Sequence, residues 1–257
     1  MSTERSYGID ALAFGAHPDD VELFCGGVMI RLADLGYRTG VVDLTRGELA
    51  SQGSVEERAR EAEAAGRVLG LALRENLGFR DGFIDPGPAS PQLKVAVEAL
   101  RRLRPELLLV PWIDERHPDH AAAGVLLTRA VFLAGLRRFE TGAALGRFAP
   151  RQVLYYEMRH RMPPSFIVDT SQAWSRKAEA IACHASQVTR RAGGAETLIN
   201  SPLAIEAIEA RDRYHGSRIG VRHGEALRSP QTPGLVDPLA HFRANPFEEA
   251  HAFEAFR

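Results

Sequence analysis

The stretch that decides the fold is IDALAFGA, which occupies residues 9–16. It is a short, almost wholly apolar run of the kind that forms a strand buried on both faces of a sheet. The polar turn His17-Pro18-Asp19-Asp20 follows it directly, and we place a helix over residues 26–35, ended by Gly36. A buried strand that leads through a polar turn into a helix is how a βαβ unit begins.

The same alternation of short apolar runs and helical segments continues along the chain. Strands are predicted at 39–44, 73–77, 106–110, 152–156 and 165–169, and helices at 54–69, 91–103, 120–139, 171–185 and 203–214. The second helix opens with Ser54-Val55-Glu56-Glu57, which has the form of a capping box. This pattern predicts an α/β fold with a mostly parallel sheet flanked by helices.

We expect one domain over residues 1–227 and a C-terminal tail over residues 228–257. The tail is richer in proline and glycine and carries four phenylalanines, Phe242, Phe247, Phe253 and Phe256. Two interpretations stay open: the tail packs its aromatic side chains on the body of its own subunit, or it packs them on a neighbouring subunit.

The composition excludes several classes of protein. The 257 residues carry 32 basic and 33 acidic side chains, a net charge of −1, and 45% of them are hydrophobic. A dedicated nucleic-acid partner is not expected without a basic excess, and no apolar run reaches the roughly 20 residues of a membrane span. The two cysteines, Cys25 and Cys183, cannot build a disulfide framework. A cytoplasmic protein is the expectation.

Two polar turns resemble each other and carry the chemistry. His117-Pro118-Asp119-His120 follows the predicted strand at 106–110, as His17-Pro18-Asp19-Asp20 follows the first strand. The carboxyl ends of parallel strands lie at one edge of the sheet, where ligands gather. Each turn places two candidate ligands three positions apart, on one face of a helical turn. A single His-Pro-Asp turn is usually only a helix cap, but two of them at strand ends predict a metal site, and a catalytic zinc needs three such ligands.

Other chemistries match the residues less well. The first strand is not followed by the G-x-G-x-x-G of a dinucleotide-binding fold, and the chain has no G-x-S-x-G elbow of a serine hydrolase. Cys25 has apolar neighbours, which favours a buried, inert thiol. A nucleotide-binding oxidoreductase and a non-catalytic module stabilised by a metal remain as alternatives of other classes.

Both turns resemble motifs of the zinc-dependent N-acetylglucosaminylphosphatidylinositol de-N-acetylase family, also called PIG-L or LmbE-like. Residues 14–22 are similar to its first motif and residues 116–120 to its second. Further stretches are similar to the bacillithiol-biosynthesis branch, and they lie at 43–49, 76–82, 165–171, 186–187 and 210–220. The resemblance covers roughly residues 8–227. It implies a Rossmann-like α/β fold, in agreement with the pattern of strands and helices.

The resemblance implies a role for each polar residue of the two turns. The implied zinc ligands are His17, Asp20 and His120, with Asp19 as general base, His117 as the second catalytic group and Asp119 as the residue that orients His117. In the implied mechanism Asp19 takes the proton of the attacking water. His117, held protonated by Asp119, then stabilises the tetrahedral oxyanion formed from an N-acetyl group.

The resemblance also implies a substrate and an assembly. Arg58 matches a position that contacts the substrate, which we expect to be N-acetylglucosaminyl-malate; the inositol conjugate of mycothiol synthesis and a chito-oligosaccharide are the alternatives. Family members commonly form oligomers, often hexamers, so a homo-oligomer is expected. Phe24 stands where the branch would place glycine. For Arg46, Glu48 and Asp81, a place in the cleft and a surface salt bridge explain the residue types equally well.

Overall fold

The chain is described here from a computed structural model that covers residues 8–190, 194, 196–201 and 203–245. Its strands are β1 (Ile9–Gly15), β2 (Thr39–Thr45), β3 (Leu73–Phe79), β4 (Pro105–Pro111), β5 (Gln152–Tyr156), β6 (Phe166–Asp169) and β7 (Gly224–Arg228). Its helices are α1 (Asp20–Asp34), α2 (Val55–Leu69), α3 (Pro91–Leu103), α4 (Pro118–Ala134), α5 (Trp174–Ala182), α6 (Ala185–Val188), α7 (Ala204–Ser217) and α8 (Pro238–Ala244).

All seven strands belong to one sheet, in the order β3-β2-β1-β4-β5-β7-β6. The strands from β3 to β5 pair in parallel, whereas β7 runs antiparallel to both β5 and β6. The predicted α/β fold with a mostly parallel sheet is therefore confirmed. The direction in which the chain winds reverses between β1 and β4, and ligands of such sheets bind outside the carboxyl ends of the strands at that point.

Helices cover both faces of the sheet, and β1 supplies side chains to both sides. Leu12 and Phe14 belong to the hydrophobic core under α3 and α4, whereas Ala13 belongs to the core under α1, α5 and α7. Successive side chains of a strand point to opposite faces, so a strand buried on both sides must be apolar at nearly every position. This is why residues 9–16 decide the fold.

Local signals set most helix boundaries where the sequence predicted them. The side chain of Ser54 accepts a hydrogen bond from the Glu57 amide at 3.2 Å and starts α2. Gly70 ends the same helix with a φ of 79°, a left-handed conformation that glycine adopts at little cost. Pro91 and Pro118 begin α3 and α4, where the missing proline N–H costs no hydrogen bond.

Several features differ from the sequence prediction, among them α8 and the division of the helix predicted at 171–185 into α5 and α6. α1 begins six residues earlier, at Asp20, and contains a break at Cys25, where φ is −141°. α4 ends at Ala134 rather than at residue 139. Strand β7 was not predicted, because its sequence Gly-Glu-Ala-Leu-Arg lacks the apolar run of the other buried strands and depends on pairing with β5 and β6.

The C-terminal segment lies away from the core as far as the structure describes it. β7 ends at Arg228, and residues 231–245 are exposed, with Phe242 at 62%. Phe247, Phe253 and Phe256 lie outside the described residues, so the packing of the tail and the division at residue 227 stay predictions. Across the described part of the chain, none of the helices combines the length and the apolar character that a bilayer crossing requires.

Candidate metal centre

The two polar turns meet at the carboxyl edge of the sheet. β1 and β4 are paired in parallel, with Ala13 opposite Leu109, so the residues that follow the two strands emerge side by side. As a result, Nδ1 of His17 lies 3.2 Å from Nε2 of His120, although the two residues are 103 positions apart in the sequence. The two polar turns therefore lie in contact, as the sequence interpretation requires.

His17, Asp20 and His120 form a compact set of donor atoms. Oδ1 of Asp20 is 3.1 Å from Nε2 of His120, Oδ2 of Asp20 is 3.6 Å from Nδ1 of His17, and all the donor atoms lie within 4.8 Å of one another. Ligands that surround zinc tetrahedrally at about 2.0–2.1 Å are roughly 3.3 Å apart. The spacing and the donor chemistry of this trio therefore fit a divalent metal ion.

The electrostatics of the trio favour a positive charge at its centre. Burial opposes the charged form of His17, but hydrogen bonds to Asp119, Asp20 and Asp81 hold the pKa of its imidazole well above the ordinary value. Burial likewise opposes ionisation of Asp20, yet His120 and His17 hold the pKa of that carboxyl well below its ordinary value. Either a proton on His17 or a metal ion held by the trio can supply this positive charge.

Two further carboxylates lie behind His17. Nε2 of His17 is 3.0 Å from Oδ1 of Asp81 and 3.4 Å from Oδ2 of Asp119. The backbone amide of Leu49 donates to Asp81 at 2.9 Å, and the amide of Gly82 donates to Asp119 at 2.7 Å. Carboxylates placed this way orient a metal-ligating imidazole and raise its basicity.

The position of Asp119 corrects one sequence expectation. Its carboxylate turns to His17 and to the amides of Gly82 and Ile84, not to the predicted partner His117. The backbone amide of Asp119, and not its side chain, is what bonds His117. The side chain turns away because the loop after β3 offers two amide donors on its other side.

Asp81 was left undecided by the sequence, and the structure places it in the site. It is buried, at 6% exposure, directly behind His17. The signal that could have identified it is positional: Asp81 follows the carboxyl end of β3, on the same edge of the sheet as both polar turns.

His117 adjoins the trio without sharing its donor centre. It is the N-cap of α4, and its Nδ1 accepts the amide of Asp119 at 3.2 Å. Burial, followed by the charges of His120 and His17, lowers the pKa of the His117 imidazole. A neutral ring that accepts at Nδ1 carries its hydrogen on Nε2. His117 is thus a neutral donor, where the sequence interpretation expected a protonated one.

Asp19 has different partners from its neighbour Asp20. Its φ of 134° is rare for a residue with a side chain, and its Oδ2 lies 3.4 Å from the Arg58 guanidinium. Burial raises the pKa of the Asp19 carboxyl; Arg58 opposes this, and Asp20 adds to it. A buried carboxylate with an elevated pKa beside a candidate metal site is well suited to accept a proton.

Arg58 directs its hydrogen bonds to other groups of the protein. It is only 4% exposed, and it donates to the carbonyl oxygens of Gly47 and Pro18 at 2.9 and 2.8 Å. These bonds hold the guanidinium against Asp19 and the turn that carries it. Contact with a substrate stays a prediction for Arg58; what the structure shows is an arginine that supports Asp19.

These residues surround one cavity of about 360 Å³. His17, Asp19, Asp20, His117 and His120 all line it. Its other lining residues include Leu49, Arg116, Arg159, Gln187 and Leu198. A metal, an acid–base carboxylate and an imidazole donor on one sugar-sized cavity can together hydrolyse an amide.

Comparison with known proteins agrees with this arrangement. Residues 12–131 match the model of the PIG-L family, described as GlcNAc-PI de-N-acetylase. A solved structure of the conserved protein TT1542 from Thermus thermophilus is 40% identical, with a TM-score of 0.80, and the match covers 90% of this chain and 98% of that one.

Two curated relatives also match over most of their length. The diacetylchitobiose deacetylase of Thermococcus kodakarensis is 27% identical, over 90% of this chain and 86% of the relative. The 4-oxalmesaconate hydratase of Pseudomonas putida is 28% identical, over 69% of this chain and 73% of the relative. Taken with the family match and the site, the chain belongs to the PIG-L family and is an enzyme of its metal-dependent deacetylase class.

Proposed function

We propose that this chain is a zinc-dependent hydrolase that removes the N-acetyl group from an N-acetylglucosamine conjugate, with N-acetylglucosaminyl-malate of bacillithiol biosynthesis as the favoured substrate. One observation carries the proposal. The donor atoms of His17, Asp20 and His120 lie within 4.8 Å of one another, and the carboxyl of Asp19 lines the same cavity while contacting Arg58 instead. A purely structural metal site needs no such additional carboxylate.

His17, Asp20 and His120 would hold the metal. When bound, zinc polarises the acetyl carbonyl and lowers the pKa of the attacking water. Asp81 and Asp119 keep the ring of His17 in place through its Nε2–H. These five side chains follow the ends of β1, β4 and β3, three strands of one sheet, so the sheet itself supplies the rigidity of the site.

Asp19 and His117 would carry out the proton chemistry. Asp19 takes the proton of the water as that water attacks the acetyl carbon, and its raised pKa makes it a stronger base than an exposed aspartate. His117, neutral with its hydrogen on Nε2, donates a hydrogen bond to the oxyanion that forms. Asp19 then delivers its proton to the departing sugar amine, which leaves acetate and a free amine.

The N-acetylglucosamine part of the proposed substrate has more support than the group attached to it, the aglycone. The resemblance of several stretches to the bacillithiol branch favours malate, while a relative that is a diacetylchitobiose deacetylase supports a chito-oligosaccharide as the alternative. The inositol conjugate of mycothiol synthesis is a further alternative with the same chemistry. These candidates share the N-acetylglucosamine unit and differ in the aglycone; diacetylchitobiose also differs from the inositol conjugate in anomeric configuration, since the latter is an α-glucopyranoside.

The deciding experiment measures acetate release by mass spectrometry from a panel of N-acetylglucosaminides. The panel contains the malate and inositol conjugates, diacetylchitobiose and the methyl glycoside, each with and without a chelator. We expect acetate from the malate conjugate at the highest kcat/KM, and loss of activity with chelator that added zinc restores. Asp20→Ala and His120→Ala should lose both zinc and activity.

The hydratase relative defines the outcome that would contradict the proposal. If the zinc-loaded protein released no acetate from any member of the panel but hydrated 4-oxalmesaconate, the site would be used for addition of water to a double bond. Metal-dependent acetate release that is fastest from diacetylchitobiose would retain the reaction and replace malate as the substrate.

A further inference from the structure

A second cavity of about 360 Å³ adjoins the metal cleft. It lies between α7 and the segment that follows β5, and it is lined by Phe24, Glu157, Met158, Arg159, Arg161, Ala207, Ile208, Ala210, Arg211 and Tyr214. None of these residues belongs to the trio of candidate metal ligands or to the groups proposed for proton transfer. A substrate group bound there would lie apart from the metal ligands and from the groups proposed for proton transfer.

The two cavities adjoin each other, because Phe24 and Arg159 line both of them. Phe24 follows the metal-binding turn on α1, and its ring lies 5.1 Å from the guanidinium carbon of Arg211. Phe24 is also the position at which the bacillithiol branch would place glycine. A group attached to a sugar in the metal cleft would therefore pass the Phe24 ring to enter the second cavity.

The lining of the second cavity is cationic over an apolar wall. Three guanidinium groups line it. Arg211 is paired with Asp212 at 2.8 Å, so the unbalanced charges are those of Arg159 and Arg161. The single carboxylate among the lining residues, Glu157, is already committed. Its oxygens accept from His215 at 2.7 Å and from the amide of Met162 at 2.8 Å. Arg161 lies 4.7 Å above the Tyr214 ring, with a long contact of 3.4 Å to the Tyr214 hydroxyl. The cavity thus has an excess of positive charge.

Arg159 is held in place by its backbone while its guanidinium stays available. The Glu115 carboxylate accepts the amides of Arg116, Arg159 and His160 at 2.6, 2.7 and 3.0 Å. Within the described residues, the guanidinium of Arg159 has neither a hydrogen-bond partner nor a salt-bridge partner. Partial burial, and then the charges of Arg116 and Arg211, lower the pKa of Arg159. This repulsion would be relieved by an anion.

We propose that the second cavity is the aglycone subsite, and that it takes a group bearing a carboxylate or a phosphate, which Arg159 and Arg161 hold against the apolar wall of Phe24 and Ile208. The inference rests on the proposed function, since it takes the sugar to occupy the metal cleft. Guanidinium forks match carboxylate and phosphate oxygens, so both anions satisfy the same recognition. A neutral aglycone would leave the arginines unpaired.

The test compares three N-acetylglucosaminides that differ only in the aglycone: malate, glycerol phosphate and methyl. For the zinc-loaded enzyme, we expect kcat/KM to be about tenfold or more higher for at least one anionic conjugate than for the methyl glycoside. Arg161→Gln removes one cation, and Ala210→Phe fills the cavity from α7; both should reduce this ratio. Arg213→Gln is the matched control, because Arg213 lies on the same helix, is paired with Glu209, and does not line the cavity.

A binding measurement separates this proposal from the proposed function. Calorimetry with the deacetylated malate conjugate and with methyl glucosaminide reports anion preference without turnover. Anion-selective binding that Ala210→Phe abolishes would support the subsite even if no acetate were released. Deacetylation with equal kcat/KM for all three aglycones, together with equal binding of the two amines, would overturn the subsite and leave the deacetylase intact. A preference for malate over glycerol phosphate, or the reverse, identifies which anion is bound.

Discussion

Asp19 combines an unfavourable backbone with a chemical role. A φ of 134° in a residue that has a Cβ costs about 1–3 kcal/mol, and such costs persist where the surroundings enforce them. Here Arg58 enforces the conformation, because it bonds the carbonyl oxygen of Pro18 and contacts the Asp19 carboxylate. The strained turn directs the carboxyl of Asp19 away from that of Asp20, and this separates the two adjacent aspartates into a proposed base and a proposed ligand.

Replacement of Asp19 should therefore separate stability from activity. Asp19→Gly removes the strained side chain, and after the entropic cost of glycine we expect a gain of about 1 kcal/mol in the free energy of unfolding. Activity should fall by about 10²–10⁴-fold while zinc stays bound. Urea unfolding, zinc content and acetate release measure the three quantities.

Asp19→Asn is the matched variant, since it keeps the side-chain size and the backbone strain. It should lose activity to a similar extent without the gain in stability. Wild-type turnover in either variant would show that Asp19 is not the base.

Asp81 offers a second prediction at this scale, because it acts on the metal through His17. Its pKa is lowered to about 2, since hydrogen bonds from His17 and Leu49 outweigh the effect of burial. Asp81→Asn should weaken zinc affinity by about 10–100-fold, as loss of a carboxylate behind a ligating imidazole typically does. Competition with a chromogenic chelator measures this, and Asp85→Asn, an exposed position in the same loop, is the control. Equal zinc affinity in both variants would exclude the positioning role.

The raised pKa of His17 predicts how metal binding depends on pH. In the metal-free protein, protonated His17 contributes stability that is fully present below its unfolded pKa of about 6.5 and is lost as pH rises through the higher folded pKa. Metal must displace this proton. The increase in melting temperature on adding zinc should therefore grow as pH rises above about 6.5. Thermal scans with zinc and with chelator measure it; an increase that shrinks over this range would contradict the assignment of His17.

At the scale of elements, the break in α1 is held by groups from two other elements. The carbonyl of Leu23, close to the break at Cys25, accepts from Arg211 at 2.9 Å. The amides of Gly27 and Val28, beyond the break, donate to the Glu225 carboxylate at 2.9 and 2.7 Å. α7 and β7 thus satisfy the backbone groups on either side of the break and hold the helix that begins with Asp20.

Lys177 bonds the carboxylates of Glu225 and Asp212, and this buried network leads to a prediction for stability. It is fully buried on α5, and its Nζ lies 2.6 Å from Glu225 and 2.5 Å from Asp212. Lys177→Met leaves buried carboxylates without their cation and should cost about 3–5 kcal/mol of unfolding free energy in urea. Arg176→Ala, at the adjacent position of the same helix, breaks the more exposed pair with Asp34 and should cost about 0–1 kcal/mol. Similar losses of unfolding free energy in the two variants would show that the buried network stabilises the protein no more than the exposed ion pair does.

At the scale of the whole molecule, the order of the strands explains why one edge collects the chemistry. β1 and β4 are neighbours in the sheet, and β3 is separated from β1 only by β2. All three are parallel and end at the same edge of the sheet. Asp81, the first polar turn and the second polar turn follow these three strands. A site built on three strand ends is fixed by the hydrogen bonds of the sheet, which suits chemistry that tolerates little displacement.

The C-terminal tail is expected to contribute little to the stability of a single subunit. Removal of residues 232–257 should leave the melting temperature of the isolated subunit and its zinc content unchanged, because residues 232–245 are exposed and make little contact with the core. If the tail is a subunit contact, the same truncation lowers the oligomeric state, which light scattering coupled to gel filtration measures. A large loss of monomer stability would instead favour packing of the tail on its own subunit.

The sequence alone determined the architecture and the location of the site. Buried strands such as residues 9–16, proline at the first positions of α3 and α4, and the Ser54 cap are signals contained within a few neighbouring residues. Once strand and turn follow each other in this way, parallel pairing brings the two polar turns together. For this reason the fold, and the meeting of His17 with His120, could be predicted.

Only the tertiary structure decided which groups are partners. Asp119 contacts His17 instead of His117, Arg58 supports Asp19, and Asp81 lies behind an imidazole 64 positions away in the sequence. Likewise β7 is a strand because β5 and β6 offer it backbone partners. Periodicity and propensity describe a residue and its neighbours along the chain, whereas the partner of a buried charge depends on which distant groups packing brings within hydrogen-bond distance.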